Sequence, residues 1–343
     1  MKRQRFSRKI LIWRNKNISE RKLVLILSFV IGILSGLAAV LLKSTVHYTH
    51  VFLSTRFFQS GFNYLYLFLP LVGIALTVIF IRYFVKDNIS HGVSRILYAL
   101  SKNNGRLKSH NNYSSIIAST LTIGFGGSVG AEAPVVLTGA SIGSNLGHYF
   151  RLNFKSVALL LACGTAGAIG GIFKAPIAGL VFAIEVLMLD LTLSSIVPLL
   201  ISSVTGATVA YLLMGKGVVL SVLNTQPFEL NNIPFYILLG LLCGLVSFYF
   251  TRTAMHVESY AKKFKTNTSK IFAGGIVLAA LIFLFPSLYG EGTMTLQSLL
   301  NGNIEGIPKD RIFSFFMRNE WLILSYFGLI ILLKVVAMAI TTG

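Results

Sequence analysis

The chain has 343 residues, of which 54% are hydrophobic and 12% are charged, and its formal net charge is +19. A soluble domain carries about 25% charged residues, so this composition excludes the soluble classes and indicates a polytopic membrane protein. The excess of Lys and Arg does not indicate nucleic-acid binding, because these residues cluster beside apolar segments, as in the cytoplasmic loops of membrane proteins.

The first apolar segment follows a basic stretch. Residues 1–19 are predicted to be a basic cytoplasmic segment, in which residues 5–13 have the pattern of a short amphipathic helix on the membrane surface. Leu23 to Leu42 contains no charged residue and is long enough to cross a hydrocarbon core of about 30 Å. The N-terminus is therefore expected in the cytoplasm.

The rest of the chain reads as a series of helices. They are predicted at 20–52, 60–85, 92–101, 112–125, 132–149, 154–170, 175–190, 194–214, 231–264, 270–286, 292–301 and 318–341. Those at 92–101, 112–125 and 175–190 are too short to span the bilayer. Transporters use such short, Gly- or Pro-interrupted helices to direct helix ends at a midplane site, so the prediction is an all-α polytopic membrane protein with broken helices.

An internal repeat is suggested by two glycine motifs. Gly32-Ile-Leu-Ser-Gly36-Leu37 recurs 208 residues later as Gly240-Leu-Leu-Cys-Gly244-Leu245. Alternatively, both are ordinary packing motifs, since small residues four apart are common between membrane helices. The repeat interpretation predicts a first membrane repeat at 20–215 and a second at 216–343. On that interpretation we expect the sequence to stop inside the second repeat.

The first candidate site element in chain order is Ile89-Ser-His-Gly-Val-Ser94, a loop that enters a helix. Ser90, His91, the Gly92 backbone and Ser94 are candidate anion contacts or helix caps. Taken alone, this pattern favours a serine that caps the helix over a serine that binds a ligand.

Glu132 is the second and strongest element. It lies in the Gly-rich segment 124–134, and no other Lys, Arg, Asp or Glu occurs from Ser109 to Phe150. An ionisable residue at such depth indicates an ion or proton pathway. The preceding glycines and the following Pro134 predict a helix N-terminus, which binds anions through its free N–H groups. Alternatively, this is a packing loop in which Glu132 pairs with a lysine elsewhere.

The third element runs from Gly170 to Glu185, and Pro176 within it predicts another helix start. Lys174 and Glu185 both stand in apolar surroundings. We expect them to form ion pairs, mutual or with other helices, and keep a role in an ion pathway as the alternative.

Other polar groups predict little chemistry. His47 and His50 have no third metal ligand in view, and Cys163 and Cys243 read as small core residues. Lys334, inside the last apolar segment, is expected to need a partner. No nucleotide-binding loop and no hydrolase motif is present. The sequence therefore predicts no metal, no cofactor and no enzymatic activity.

The three elements, in this order, resemble the CLC family of chloride channels and chloride/proton antiporters. The family patterns GSGIP, G(K/R)EGP and GxFxAP followed by Ile-Glu read here as 90–94, 130–134 and 171–176 with Ile184-Glu185. The resemblance covers the chain from about residue 20 and implies an inverted repeat, a homodimer and one anion pore per subunit. It also implies that the second-half GIFAP motif and the pore tyrosine lie beyond Gly343.

Carried over residue by residue, the resemblance makes Glu132 the gating glutamate, which also carries the proton in antiporters. The amides around Gly130, Ala131 and Ala133 would line the outer anion site. Those of His91, Gly92 and Val93 would face the central one.

Three positions depart from the family pattern. His91 stands where the family has the serine that binds the central chloride. The central anion would then be bound by His91, by Ser90 or by backbone amides alone. Ala131 replaces a basic residue before the gating glutamate. Val186 replaces the internal proton-relay glutamate of many antiporters, which favours a channel, although some antiporters of the family work without it.

The resemblance implies transport of chloride or another small anion through a pore in the lipid bilayer, with protons as a second substrate in an antiporter. It further implies a prokaryotic inner membrane. Two alternatives stay open: a non-conducting membrane scaffold, and an intramembrane enzyme that uses Glu132, Glu185 and a histidine as acid and base.

Overall fold

The computed structural model describes residues 19–57, 65–87, 92–188, 192–215, 217, 229–264, 266–301 and 320–342. Throughout these ranges the regular secondary structure is helical, without a strand, which confirms the predicted all-α class. The helices are α1 (Glu20–Phe57), α2 (Leu65–Phe80), α3 (Gly92–Lys102), α4 (Asn111–Gly124), α5 (Glu132–Tyr149), α6 (Phe154–Phe173), α7 (Pro176–Leu187), α8 (Leu193–Met214), α9 (Ile233–Lys263), α10 (Asn267–Leu284), α11 (Thr293–Leu300) and α12 (Glu320–Thr342).

Six segments of the described chain are long and apolar enough to cross a membrane. They are Glu20–Leu53, Phe68–Val85, Phe154–Phe173, Ser194–Met214, Leu230–Lys263 and Trp321–Thr342. Helix α3, with 11 residues, rises only about 16 Å and falls well short of a bilayer. Helices α4 and α7 are also short, with 14 and 12 residues. The predicted mixture of spanning and short helices is thus present.

The described residues form two compact units. The first unit takes them from Met1–Thr45, Ile81–Ser119 and Ala131–Val219, and the second from Val46–Phe80, Thr120–Gly130 and Leu220–Gly343. The predicted boundary between two repeats near residue 215 stays a prediction.

Helix α6 is the centre of the first unit and packs against α5, α7 and α8. Backbones touch directly where glycines face each other: a Cβ atom on Gly164 would lie 1.9 Å from the carbonyl oxygen of Gly139. A Cβ atom on Gly143 would similarly lie 2.0 Å from the Leu160 carbonyl oxygen. Such close approach is the usual role of small residues between membrane helices, and it fixes α5, which carries Glu132.

The two motifs of the suggested repeat have different surroundings. A Cβ atom on Gly32 would lie 2.6 Å from the Ser202 carbonyl oxygen, and one on Gly36 would lie 2.7 Å from the Gly206 carbonyl oxygen, so the first motif packs against α8. Gly240 and Gly244 have no described atom within 4 Å of their Cβ positions. The first motif is therefore a packing motif, and its equivalence with the second remains a prediction.

In the second unit, α10 packs against α2 and α12. Leu278, Ile282, Leu288 and Ala337 form a fully buried cluster in this unit. The expected partners of Lys334 are found here: its ammonium donates hydrogen bonds to the carbonyl oxygens of Gly290, at 2.6 Å, and Leu288, at 3.3 Å.

Candidate anion site

The amino termini of α3 and α5 meet in the first unit. A Cβ atom on Gly92, the first residue of α3, would lie 2.7 Å from the carbonyl oxygen of Ala133 and 3.4 Å from Cβ of Leu137. Only glycine allows this approach, because the nearest atom belongs to backbone and cannot swing away. Two segments chosen from the sequence as anion-binding elements are thus adjacent in space.

The amino terminus of α5 has no side-chain cap. Its N-cap residue is Ala131, which offers no acceptor, and Pro134 has no N–H group. The first amide of this turn with a backbone acceptor is that of Val135, which donates to the Ala131 carbonyl oxygen at 3.2 Å. The amides of Glu132 and Ala133 bond to no residue that the structure describes. Free N–H groups and a helix dipole of this kind attract anions.

Helices α6 and α10 begin differently. The Asn153 side chain accepts a hydrogen bond from the Ser156 amide of α6, and Thr266 accepts one from the Ser269 amide of α10. Capping side chains of this kind satisfy the free N–H groups that would otherwise need a ligand or water. Helix α7 resembles α5, because it begins after Ala175 without a side-chain cap.

Glu132 is the first residue of α5, and its side chain is exposed. Within the described ranges its carboxylate makes no hydrogen bond and no ion pair, so the packing alternative, a Glu132–lysine pair, is not observed there. A carboxylate at a helix N-terminus is attracted by the same amides that attract a free anion. The geometry therefore allows Glu132 to compete with an anion for this turn.

The glycine loop before α5 is fixed within the second unit. Gly126 has a φ of +103°, which favours glycine, and a Cβ atom there would lie 2.4 Å from the Tyr289 ring. The Ser128 hydroxyl donates a hydrogen bond of 2.6 Å to the Leu288 carbonyl oxygen, and the Tyr289 hydroxyl donates one of 3.3 Å to the Gly124 carbonyl oxygen. Gly130, which ends this loop, is half-buried.

The remaining candidate contacts are partly placed. Gly92 and Val93 form the start of α3, and both are half-buried. Ser90 and His91 lie outside the described residues. Val186, which the resemblance aligns with the internal proton relay, is half-buried near the end of α7.

Lys174 does not pair with Glu185, which corrects the expectation of a mutual ion pair. Its ammonium, in a residue only 8% exposed, donates hydrogen bonds to the carbonyl oxygens of Gly215, at 2.8 Å, and Gly217, at 2.6 Å. A cation favours the carboxyl end of a helix, here α8, because the last carbonyl groups lack intrahelical partners. The Glu185 side chain is exposed on α7. The mutual pair could not be excluded from the sequence, because every residue has a backbone carbonyl group that can bind an ammonium instead. A role of Lys174 or Glu185 in an ion pathway stays a prediction.

The sequence patterns did not predict a polar cluster around Asp87. Its carboxylate accepts hydrogen bonds from Arg95, Lys108 and His110, which lie in separate segments of the first unit. The signal that existed was an acidic residue in a strongly basic chain, but its partners could not be read from spacing. No three His, Cys, Asp or Glu side chains in the described parts of the chain come together as a metal site.

Comparison with known sequences identifies relatives over most of the chain. The family described as voltage gated chloride channel matches residues 73–343. The chain is 26% identical over 271 residues to an uncharacterized protein of Methanocaldococcus jannaschii, which covers 78% of this chain and 65% of the relative. It is 26% identical over 292 residues to the H(+)/Cl(-) exchange transporter ClcA of Vibrio cholerae, which covers 81% of this chain and 62% of the relative.

A third relative is the putative chloride channel protein ClcB-like of Ralstonia nicotianae, 27% identical over 241 residues, or 69% of this chain and 55% of the relative. The chain thus spans between 55% and 65% of the length of these three relatives. Those with functional names are called transporters or channels, and none is called an enzyme.

Solved structures share the fold. A CLC-type fluoride/proton antiporter superposes with a TM-score of 0.74 at 22% identity, over 95% of this chain and 78% of that one. A slow cyanobacterial Cl-/H+ antiporter superposes with a TM-score of 0.74 at 20% identity, over 95% and 75%. The apolar helices, the shared fold and the family match over most of the chain lead to one conclusion: this integral, multi-pass membrane protein belongs to the CLC family of chloride channels and chloride/proton antiporters.

Proposed function

We propose that this protein moves chloride, or another small anion, across the membrane through a pore gated by Glu132. The observation that carries the proposal is the junction of α3 and α5. There the first turn of α5 has no side-chain cap and its first two amides bond to no described residue. Gly92 brings a second helix amino terminus beside it, and the Glu132 carboxylate at the same turn has no partner among the described residues. No cofactor takes part in this mechanism.

An anion that enters the pore must give up part of its hydration. The free N–H groups and the dipoles of helix amino termini replace the lost water, as backbone groups do in channel filters. The amides of Gly130, Ala131 and Ala133 would line the outer position, and those of His91, Gly92 and Val93 the central one. In the proposed mechanism, Ser90 or His91 supplies a side-chain donor to the central anion.

Glu132 closes the pore when its carboxylate occupies the outer position and opens it when the carboxylate moves away or becomes protonated. The proposed transport then takes one of two forms. In a channel, Glu132 acts as a gate alone. In an antiporter, it also delivers a proton, which must bypass Val186, because a valine side chain binds no proton.

The topology proposed is an inverted repeat with the N-terminus in the cytoplasm, in a homodimer in which each subunit has its own pore. The basic residues of the first segment and of Lys102, Arg106 and Lys108 support this orientation by the positive-inside rule. The bacterial and archaeal relatives support a prokaryotic inner membrane as the location.

The test is a flux assay with the native full-length protein in liposomes, which carry a chloride gradient at clamped voltage while chloride and protons are recorded together. Chloride flux that drives protons uphill identifies an antiporter, and chloride flux without proton movement identifies a channel. Absence of flux for every small anion tested, fluoride included, would reject the proposal in favour of a non-conducting scaffold.

The gate itself is tested by Glu132→Gln, which keeps the size of the side chain and removes its charge. We expect altered anion flux and loss of any proton coupling, with folding retained because the exposed carboxylate has no described partner. The matched control is Glu258→Gln, since Glu258 forms an exposed pair with Lys262 on α9 at 2.8 Å. Equal flux in both variants would remove Glu132 from the gate.

A further inference from the structure

The Asp87 cluster connects three segments of the first unit. Asp87 follows the π-helical turn Ile81–Val85 that extends α2, Arg95 lies in the first turn of α3, and Lys108 and His110 lie in the segment that leads into α4. Arg95 donates a hydrogen bond to one carboxylate oxygen of Asp87. Both side chains are more than four-fifths buried, with exposures of 16% and 18%.

Two further donors complete the cluster. Nζ of Lys108 lies 2.9 Å from the Asp87 carboxylate, and so does Nε2 of His110. An ionised carboxylate only accepts, so His110 donates through Nε2, and its Nδ1 faces the Ser114 hydroxyl at 3.1 Å. Lys108 is 64% exposed and adds little stability by itself. The buried contacts of Arg95 and His110 with Asp87 therefore connect α3 to the segment before α4.

The segment that holds Lys108 and His110 is itself bonded to α5. Side-chain hydroxyls spaced three residues apart on α5 donate to carbonyl groups spaced three residues apart on the segment. The pairs are Thr138 with Asn111 at 3.3 Å, Ser141 with Lys108 at 3.3 Å, and Ser144 with Gly105 at 2.6 Å. The Leu107 amide also donates to the Ser144 hydroxyl at 3.0 Å. This segment therefore moves with α5.

Helix α3 is thus held to α5 by two routes. The direct route is the packing of the two helices, which includes the contact of Gly92 with the Ala133 carbonyl group. The indirect route runs from Arg95 through the Asp87 carboxylate to the bonded segment. Arg95 donates to Asp87 through one guanidinium nitrogen, and the planar guanidinium with its fixed donors limits the orientations in which this bond can form. The indirect route therefore restricts rotation of α3 in addition to the direct packing of the two helices.

We propose that Asp87 is a positioning residue for the anion site: through Arg95 it holds the first turn of α3 in the orientation at which its amides and those of α5 face the same anion. This inference rests on the proposed anion transport. Asp87 touches no anion in this scheme, and its effect passes through Arg95. Small misplacements of binding groups can lower rates by about a hundredfold, so the Asp87–Arg95 contact is expected to affect transport directly.

The test compares Asp87→Asn, Asp87→Glu and the control Glu258→Gln in the full-length protein. In liposomes, Asp87→Asn should raise the anion concentration for half-maximal flux by on the order of tenfold, and Asp87→Glu should restore part of the loss. Since Asp87 acts through Arg95, the double variant Asp87→Asn/Arg95→Gln should be no worse than Arg95→Gln alone. Half-saturation unchanged from the unaltered protein, with only lower thermal stability, would show a merely structural role and overturn the proposal.

A second measurement does not depend on transport. Amide hydrogen exchange should accelerate in Asp87→Asn at the start of α3, around Val93 to Ile96, while exchange in α6 stays as in the unaltered protein. If the unaltered protein carries no anion but this local acceleration occurs, the transport proposal fails, whereas the proposal that Asp87 positions α3 is supported. If exchange at the start of α3 is unchanged, the positioning role of Asp87 is rejected, whatever the flux assay shows.

Discussion

The Gly92 Cα hydrogen faces the carbonyl group of Ala133, and a methyl group in its place would lie 2.7 Å from that oxygen. This contact joins the starts of α3 and α5, the two helices that carry the proposed anion contacts. Neither helix start can shift relative to the other without changing the distance between the free amides of α5 and the first amides of α3. The contact therefore makes a glycine a determinant of the site's geometry, although its side chain binds nothing.

The first prediction is that Gly92→Ala impairs anion transport. The added methyl group must displace the backbone at Ala133, and overpacking of this kind costs about 1–3 kcal/mol. We expect a lower thermal midpoint in detergent and a lower flux in liposomes. The control is Gly240→Ala in α9, where nothing described lies within 4 Å and alanine is the better helix former. Equal effects of the two substitutions would contradict the close contact.

The second prediction concerns the buried ammonium of Lys174. In Lys174→Met the carbonyl groups of Gly215 and Gly217 lose their donor, and hydrogen bonds that involve a charged group contribute about 1.5–3 kcal/mol. The free energy of unfolding, measured by denaturant titration in micelles, should fall by a similar amount. Lys262→Met is the control, because its exposed pair with Glu258 contributes only about 0.2–0.5 kcal/mol. A loss no larger than in the control would show that Lys174 does not anchor the end of α8.

Local signals in the sequence predicted the helices well. The helix predicted at 132–149 is α5, Glu132–Tyr149, and the helix predicted from residue 92 is α3, which begins at Gly92. Both starts are marked by glycine or proline, and both helices continue through an uninterrupted helical pattern. Helix starts that are set by the backbone preferences of a glycine or a proline can be predicted from the sequence, because they depend only on neighbouring residues in the chain.

Partners from distant segments could not be predicted in this way. Lys174 binds Gly215 and Gly217, more than 40 residues away, through carbonyl groups that every residue has. The donors to Asp87 lie 8, 21 and 23 positions further along the chain, in α3 and in the segment before α4 rather than in the element that holds Asp87. These contacts follow from tertiary packing, and residue type alone indicated only that the buried charges needed partners.

The third prediction is that Ser128→Ala loosens the glycine loop that precedes Glu132. The Ser128 side chain is fully buried, and its 2.6 Å hydrogen bond to the Leu288 carbonyl group contributes about 1 kcal/mol. We expect a lower thermal midpoint and faster amide exchange from Gly126 to Gly130. Ser325→Ala removes a bond of the same type, at 2.7 Å to the Leu322 carbonyl group, at an exposed position and should have little effect. An unchanged exchange rate in the loop would argue against this anchor.

The fourth prediction is an acid-dependent loss of stability that depends on Asp87. Burial alone would raise the pKa of the Asp87 carboxyl, but hydrogen bonds from Lys108, Arg95 and His110 outweigh it and hold that pKa well below its usual range. A carboxyl whose pKa is lower in the folded than in the unfolded state stabilises the fold above its unfolded pKa of about 3.9, and this contribution disappears as the pH falls below that value. The unaltered protein should therefore be more stable than Asp87→Asn at pH 7, and the difference between their thermal midpoints should shrink below about pH 4. A difference that stays constant from pH 7 to pH 3 would mean that the ionised carboxylate is not what holds Arg95 and His110.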